Sequence, residues 1–388
     1  VLREYVDVVI VGAGAGGISA AISAARANAS VALLDTRPEV GGIVTHALIH
    51  TIAGLYDAFG GWMNEGLPVE LVERVLLRDA DTKKRKIGKA WVLSASPWTY
   101  RQVVEAWVAE EPGIRAFLGV NDLKVTTDGG AISSVTFRQG GSSRVLQTRA
   151  LIDSSGHANA VRSIDPDLLY EDPIPALEGL IFRVRGIRSA DLAFPRGLAL
   201  RRAIAQAVVE GQLPQECSGA WIDMGVREDE AYIKLSVAPV RNELAPRATP
   251  DQIAEAMHRF LAKRFVAPRP AAIQAGEITR RSGARAKGEY QLTGGDVRGL
   301  ARFPDAACKC AWPIEHWTSE RGLELEYLED DGYYEIPQRA LRVAGVKNLA
   351  VAGMCLSSDR VAQASARVSG CCWAMGEAAG SMAVGWLK

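Results

Sequence analysis

"VDVVIVGAGAGGISAAISAARA", residues 6–27, decides the fold. Val6 to Val11 is an unbroken apolar run, the pattern of an interior parallel strand. Gly12-x-Gly14-x-x-Gly17 follows at once, with Gly16 inside the same turn, and then a helix carrying Ala20, Ala21, Ala24 and Ala25. Glycines at this spacing allow a tight turn, close backbone approach to a phosphate, and tight packing of helix on strand. The helix N-terminus adds free N–H groups and a positive dipole end, so the stretch predicts a dinucleotide pyrophosphate site. "SVALLD", residues 30–35, reads as the second strand and closes on Asp35, where a carboxylate can accept from adenosine-ribose hydroxyls. Thr36 and Arg37 come next. Arg37 is read as a neighbour of the adenine, because Asp35 would repel the 2′-phosphate that an NADP reader needs.

Gly41-Gly42, just past the second strand, lets backbone run close to a long cofactor. No second strand–GxGxxG–helix unit follows: Gly129-Gly130 and Gly140-Gly141 read as hairpin turns, and Gly294-Gly295 lacks both flanking elements. The pattern therefore predicts FAD, held without a separate nicotinamide domain.

The rest of the chain sets limits. Of 388 residues, 48% are hydrophobic and 23% charged, the balance of a soluble globular chain long enough for two or three domains. Lys+Arg and Asp+Glu both number 45, so nothing points to a nucleic-acid footprint or a polybasic membrane patch. The six cysteines are too few and too uneven for a disulfide scaffold. Together with an N-terminus that lacks a signal-peptide layout, they predict a reducing, cytoplasmic setting. Cys308-x-Cys310 has no partner pair at zinc spacing, so no metal is expected. "VSGCCWAMGEAAGSMAVGWL", residues 368–387, is long enough to span a bilayer, yet Glu377 and its many Gly and Ala favour a buried helix beneath a cofactor.

Helical spacing is read over residues 101–110 and near 199–210 and 251–264, hairpin strands over 122–156, and a strand over 346–353. Dinucleotide-type elements thus stand at both ends of the sequence. The expected fold class is α/β, a Rossmann-like FAD-binding domain with an inserted β-rich α+β substrate domain. The boundaries are drawn at 1–60, 100–165 and 330–388 for the FAD domain, and at 61–99 and 166–329 for the substrate or cap domain.

The segment "RSGARAKGEYQLTGGDVRGLARFPDAACKCAWPIEHW", residues 281–317, carries paired Arg281 and Arg285, Gly288-Glu289-Tyr290, Leu292-Thr293, Asp296-Val297, Phe303-Pro304-Asp305 and Trp312-Pro313-Ile314-Glu315-His316. It resembles the signature of the FAD-dependent oxidoreductase family within the glutathione-reductase-type flavoproteins. "YYEIPQRAL" and "VKNLAVAGMCLSSDRVAQASARVSGCCWAMGEAAG" are similar to that family's C-terminal flavin segment, and "ALIDSSGHANA" to its "IDATGDGD" block. Ser282 stands where the family has Glu, and His157 replaces an acid, which touches substrate type more than cofactor. The resemblance implies that Gly353 and the start of the last helix lie by the flavin pyrimidine. A helix N-terminus there would stabilise the negative charge of reduced flavin, and it is placed at Gln363 to Val368. The expected cofactor set also takes in Val120, Gly156 and Arg367.

FAD carries the hard chemistry, so the protein must place a substrate C–H and remove a proton. His46 and His50 follow Gly42 and would share one face if that stretch is helical; Glu315-His316 forms a local acid–imidazole couple. These four are the candidate catalytic groups. Arg281, Arg285, Arg339 and Tyr334 are candidate substrate ligands. The leading expectation is a dehydrogenase or oxidase of a small polar molecule, passing electrons to oxygen, a quinone or a redox protein. A flavin monooxygenase using NAD(P)H and oxygen, and a non-enzymatic flavin-binding maturation partner, are the alternatives. No nucleic-acid partner and no membrane span are expected, and a homo-oligomer is left open.

Overall fold

The apolar run at the N-terminus becomes β1 (Leu2–Val11), in the middle of a seven-stranded sheet. The structure, a computed structural model, describes residues 2–173, 176–238, 248–265, 272–318 and 322–388. After β1 come α1 (Ala15–Arg26), β2 (Val31–Asp35), α2 (Gly42–His46), β3 (Thr51–Ile52), α3 (Leu67–Arg78), β4 (Lys83–Ile87), β5 (Ala90–Ser94), α4 (Pro97–Glu110), β6 (Ile114–Leu118), β7 (Asn121–Asp128), β8 (Ala131–Gln139) and β9 (Ser142–Asp153). The central segment holds α5 (Asn159–Ile164), β10 (Leu169–Tyr170), β11 (Glu178–Arg185), α6 (Ser189–Leu192), α7 (Arg196–Val209), β12 (Trp221–Met224), β13 (Glu230–Val237), α8 (Pro250–Arg264), β14 (Ala272–Ala275), β15 (Arg285–Ala286) and α9 (Gly294–Arg298). Then follow β16 (Ala306–Cys310), β17 (Ile314–Thr318), β18 (Gly322–Glu326), β19 (Tyr334–Pro337), β20 (Leu349–Val351), α10 (Arg360–Ala366) and α11 (Ser369–Gly385).

The main sheet runs β6-β2-β1-β9-β8-β7, with β20 also on β9. Strands β6, β2, β1, β9 and β20 are parallel, while β8 and β7 join antiparallel. Strand β9 is long enough to serve two neighbours along one edge. Ser142 to Gln147 pair with β8, and Leu151 to Asp153 pair with β20. Residues far apart in sequence thus meet in one sheet, as the fold class requires. Val8, Val9 and Ile10 are fully buried, which is why this strand reads as continuous rather than alternating.

Helices α1 and α11 cross at small residues. A Cβ on Gly380 would stand 2.5 Å from the Ala20 carbonyl oxygen, and one on Gly376 would overlap that of Gly16. Ser19 Oγ donates to the Trp373 carbonyl (2.6 Å) and Ser23 Oγ to that of Glu377 (2.8 Å). These bonds satisfy hydroxyls that would otherwise be costly to bury. No helix among the described residues is long and apolar enough to cross a membrane.

The inserted unit has its own core. Leu180, Phe182 and Val184 of β11 and Ile233 and Leu235 of β13 pack against Ile204 of α7 and Met257 and Leu261 of α8. The sheet β12-β13-β11-β14 turns its other face inward and carries Asp223, Tyr232, Lys234 and Ser236 there. Part of the stretch 61–99, drawn with the cap from sequence, packs elsewhere. Leu71, Val72 and Val75 of α3 share a core with Ile22, Val104 and Trp373. The apolar stripe of α3 recurs every three to four residues and needs a helical surface to cover it, which α4 and α11 provide.

Candidate active site

The glycine turn is made by backbone contacts. Gly12 has φ +104° and lies against the Ser154 carbonyl, where any Cβ would overlap it. Gly17 sits over the Gly12 carbonyl in the same way. Gly14 caps α1, and opposite it Gly42 comes so near that a Cβ would stand 2.7 Å from Gly14 Cα. Asp35 accepts from Ala13 N (2.6 Å) and Arg37 N (2.8 Å), which pins the turn to the end of β2. Gly41 N donates to Ala13 O (2.9 Å) and Val120 N to Asp35 O (3.0 Å). Thr36 is exposed beside them.

On the far side, Gly156 (φ +79°) faces open space, and Gly353 (φ +68°) lies beside Ser154 Oγ and Cys372, in the first turn of α11. Val368 is the extended N-cap of α11, and Gly370 N reaches across to the Ala53 carbonyl (2.8 Å). Two helix N-termini, two glycine turns and the end of β9 thus come together. Their groups suit a dinucleotide. Among the described residues the first N–H groups of α1 have no side-chain cap, and Thr45 Oγ1 and His46 Nε2 are buried without a partner. A Cβ on Gly14 would meet nothing nearer than Gly42 Cα at 3.8 Å, so the N-terminus of α1 stays open to a phosphate.

The candidate bases separate. The helix α2 ends at His46, and Leu48 turns left-handed (φ +56°), so His50 does not share its face. Burial, reinforced by the nearby Arg37 charge, lowers the His46 imidazole below its ordinary value and keeps it neutral. His50 is fully buried under the cap. It stacks on Tyr232 (3.8 Å between centroids) and meets Asp223 Oδ2 through Nε2 (3.2 Å). Asp223 also takes Arg85 (2.7 Å) and lies 3.8 Å from Lys234, whose Nζ donates to Thr51 Oγ1 (3.1 Å). Burial pushes His50 down to about 3 from 6.5. Its folded pKa lies below the unfolded one, so its contribution to stability is complete above about pH 6.5 and is lost as pH falls toward the folded value. The unfolding free energy of the FAD-loaded protein, read from urea titrations, should therefore decline on acidification from about pH 7 to 4.5, at up to about 1.4 kcal/mol per pH unit. His50→Asn should flatten that limb; an equally steep variant would refute this account.

Glu315 and His316 do not act on each other. Glu315 takes Arg367 and the indole N–H groups of Trp312 (3.0 Å) and Trp317 (3.0 Å), whereas His316 turns to Glu326 (2.8 Å). Successive strand residues point to opposite faces, so a neighbouring pair on β17 is kept apart. Burial works against the Glu315 charge, but the Arg367 guanidinium and the two indoles win and hold its carboxyl below the usual range. Such a carboxylate makes a poor base.

Three expected substrate ligands are committed to the protein. Arg285 is buried, bidentate with Asp172 (2.8 Å to each oxygen) and donating to Ser358 O (2.9 Å). Tyr334 is fully buried, its hydroxyl on Ser365 Oγ (2.9 Å). Arg339 lies at the surface on Asp305 (3.0 Å). Arg37, expected near the adenine, forks onto Glu277 (2.7 and 2.5 Å) and ties the exit of β14 to the nucleotide segment. Gln363 joins Met354 O (2.8 Å) to Gly283 and Arg285. Arg281 remains half-buried with no carboxylate within 4.0 Å among the described residues. Burial, and then the Arg367 charge, push its guanidinium below its ordinary range.

Sequence reading missed Asp223, Tyr232 and Lys234. The signal for Tyr232 and Lys234 was the alternation in "EAYIKLSV", residues 230–237, where polar side chains fall on one face of a strand whose other face is apolar. It also missed Asp153, fully buried and accepting from Ala160 N (2.8 Å) and Val161 N (3.0 Å). Among the described residues no cluster of three or more His, Cys, Asp or Glu is placed to hold a metal. Cys308 and Cys310 are buried on β16, with Cys310 Sγ 2.7 Å from that of Cys371.

Comparisons with known proteins agree with this geometry. A family model described as FAD dependent oxidoreductase matches residues 7–167 and 186–388. A tRNA uridine 5-carboxymethylaminomethyl modification enzyme MnmG of Lactobacillus gasseri is 28% identical over 144 residues, 34% of this chain and 22% of that protein. Its counterpart in Lactobacillus johnsonii is 28% identical over 185 residues, 42% of this chain and 28% of that protein. The chain spans less than a third of the length of these curated relatives. A solved structure described as geranylgeranyl bacteriochlorophyll reductase-like, from Thermoplasma acidophilum, has a TM-score of 0.51 at 12% identity, over 99% of this chain and 78% of that one. That likeness shows the fold.

Proposed function

The chain belongs to the FAD-dependent oxidoreductase family, and on that footing we propose that it takes a hydride from a small polar substrate bound between the flavin and the inner face of the cap sheet. It is a flavin enzyme that binds FAD. Bound FAD supplies the hydride acceptor. The observation that carries the reading is the inward face of β13, where Tyr232 stacks on His50, Lys234 reaches Thr51 and Ser236 meets Arg281. A strand that merely closed a core would present apolar residues there.

His46 is the group proposed to take the proton. It is neutral, its Nε2 is unpartnered among the described residues, and Glu277 lies 4.0 Å from Nδ1, where it can stabilise the imidazolium as it forms. The test is anaerobic: FAD-loaded protein should bleach with one member of a panel of small polar alcohols, acids and amines. His46→Gln should slow that bleaching about 100-fold while retaining flavin. Bleaching by NAD(P)H, accelerated by a second molecule and coupled to oxygen uptake, would favour a monooxygenase instead. Flavin that no small molecule reduces would overturn the reading.

A further inference from the structure

A cavity of about 200 Å³ opens beside α10, lined in part by Arg281, Ser282, Glu315, Trp317, Arg360 and Arg367. By volume it equals about six or seven waters at about 30 Å³ each, so it suits a small molecule. Arg367 precedes the N-cap of α11 by one residue, so the cavity adjoins the helix terminus assigned to the flavin. Its lining carries three guanidinium groups and a single carboxylate, Glu315, which is already engaged by Arg367.

Arg281 is held in a fixed orientation. Nη1 donates to Glu178 O (2.8 Å) and Ser236 Oγ (3.2 Å), Nη2 donates to Leu235 O (3.1 Å), and the guanidinium carbon lies 3.4 Å from the centroid of the Trp317 ring. Neutral acceptors thus orient the group, and the carboxylate among the described residues whose charge reaches it, Glu315, is bonded to Arg367 instead. The other arginines proposed as ligands differ, since Arg285, Arg339 and Arg367 each have a carboxylate. Nε of Arg281 has no acceptor among the described residues, and Nη2 donates a single bond there. The two hydrogens left over belong to adjacent nitrogens of a planar fork, which matches the two oxygens of a carboxylate. A partly desolvated guanidinium without a counter-ion is unfavourable, and an anionic ligand relieves it.

We propose that this cavity receives the carboxylate of a small organic acid on the free edge of Arg281, and that the substrate oxidised by this enzyme is therefore a carboxylate. The proposal rests on the flavin reading above and narrows it. Trp317, stacked on the guanidinium, gives a second signal that does not depend on catalysis.

The experiment titrates FAD-loaded protein with propionate, with propionamide as its neutral isostere, and with inorganic phosphate as a tetrahedral anion. Flavin absorbance and tryptophan emission are both recorded. Propionate should give a saturable change in each, and propionamide none. Arg281→Lys keeps the charge but loses the fork and should weaken propionate about tenfold; Arg281→Met should weaken it at least thirtyfold, with flavin still bound in both. Unchanged propionate affinity in Arg281→Lys and Arg281→Met would overturn the proposal, as would a tighter response to phosphate than to propionate. Arg281→Lys retains the bonds to β11 and β13 if the methionine variant does not fold. A protein that never retains flavin would instead overturn the reading of function, while the tryptophan titration would still test Arg281.

Discussion

Gly376→Leu should abolish flavin retention and leave most of the protein unfolded. The crossing of α1 and α11 has no room for a side chain at this point, because a Cβ would overlap the Gly16 carbonyl and lie 2.9 Å from Ser19 Cβ. Both obstacles belong to α1, which is itself pinned by Gly17 against Gly12 and by Ser19 on Trp373. Overpacking of cores usually costs about 1–3 kcal/mol when side chains can yield. Here backbone must move, so a cost at or above about 3 kcal/mol is expected, a large share of a domain's usual stability. Flavin absorbance after gel filtration and the urea midpoint read the two effects together. Gly385→Leu, at the far end of the same helix and with nothing near its Cβ, is the control. Equal flavin content in Gly376→Leu and the control would refute the packing argument.

Arg367→Met should destabilise the FAD-loaded protein by about 3–5 kcal/mol at neutral pH, the usual cost of stripping one partner from a desolvated ion pair. Both side chains of the Arg367–Glu315 pair are 13% exposed, so solvent screens it little. The variant leaves Glu315 with two indole donors and no cation bonded to it. Its depressed pKa in the wild type means that stability is complete above the unfolded value of about 4.3 and is lost as pH falls through the folded one. Without Arg367 the carboxyl rises, and the deficit of the variant should narrow as the group takes up its proton. Glu315→Gln in the Arg367→Met background should recover part of the loss at pH 7. A deficit that stays constant down to about pH 4, or a double variant no better than the single, would show that the pair is not the source.

The glycine turn was legible because its geometry is local. Gly12, Gly14 and Gly17 stand within six residues, and Gly12 and Gly17 are each required by a contact with neighbouring backbone. The break before the last helix was legible for a similar reason, as an expected N-terminus over Gln363 to Val368, and the structure ends α10 at Ala366 and caps α11 with Val368. The arginines were not legible. Arg281 and Arg285 are four residues apart and chemically identical, but Asp172 is 113 residues from Arg285, and no carboxylate among the described residues bonds Arg281 in that way. Whether a cation is spent on the protein or kept for a ligand depends on such distant partners. The cap followed the same logic. Lys234 and Asp223 acquire meaning only when the sheet is laid over Thr51 and His50, more than 170 residues upstream.

The shared edge of β9 has a consequence for how the protein is made. Asp153 and Ser154 emerge from the ribosome with their β1 neighbours already available, but β20 and the glycines of α11 follow about two hundred residues later. A nascent chain can align β1 with β9 early, yet it exposes the Ala-rich flank of α1 and half an edge of β9 until β20 and α11 have been made.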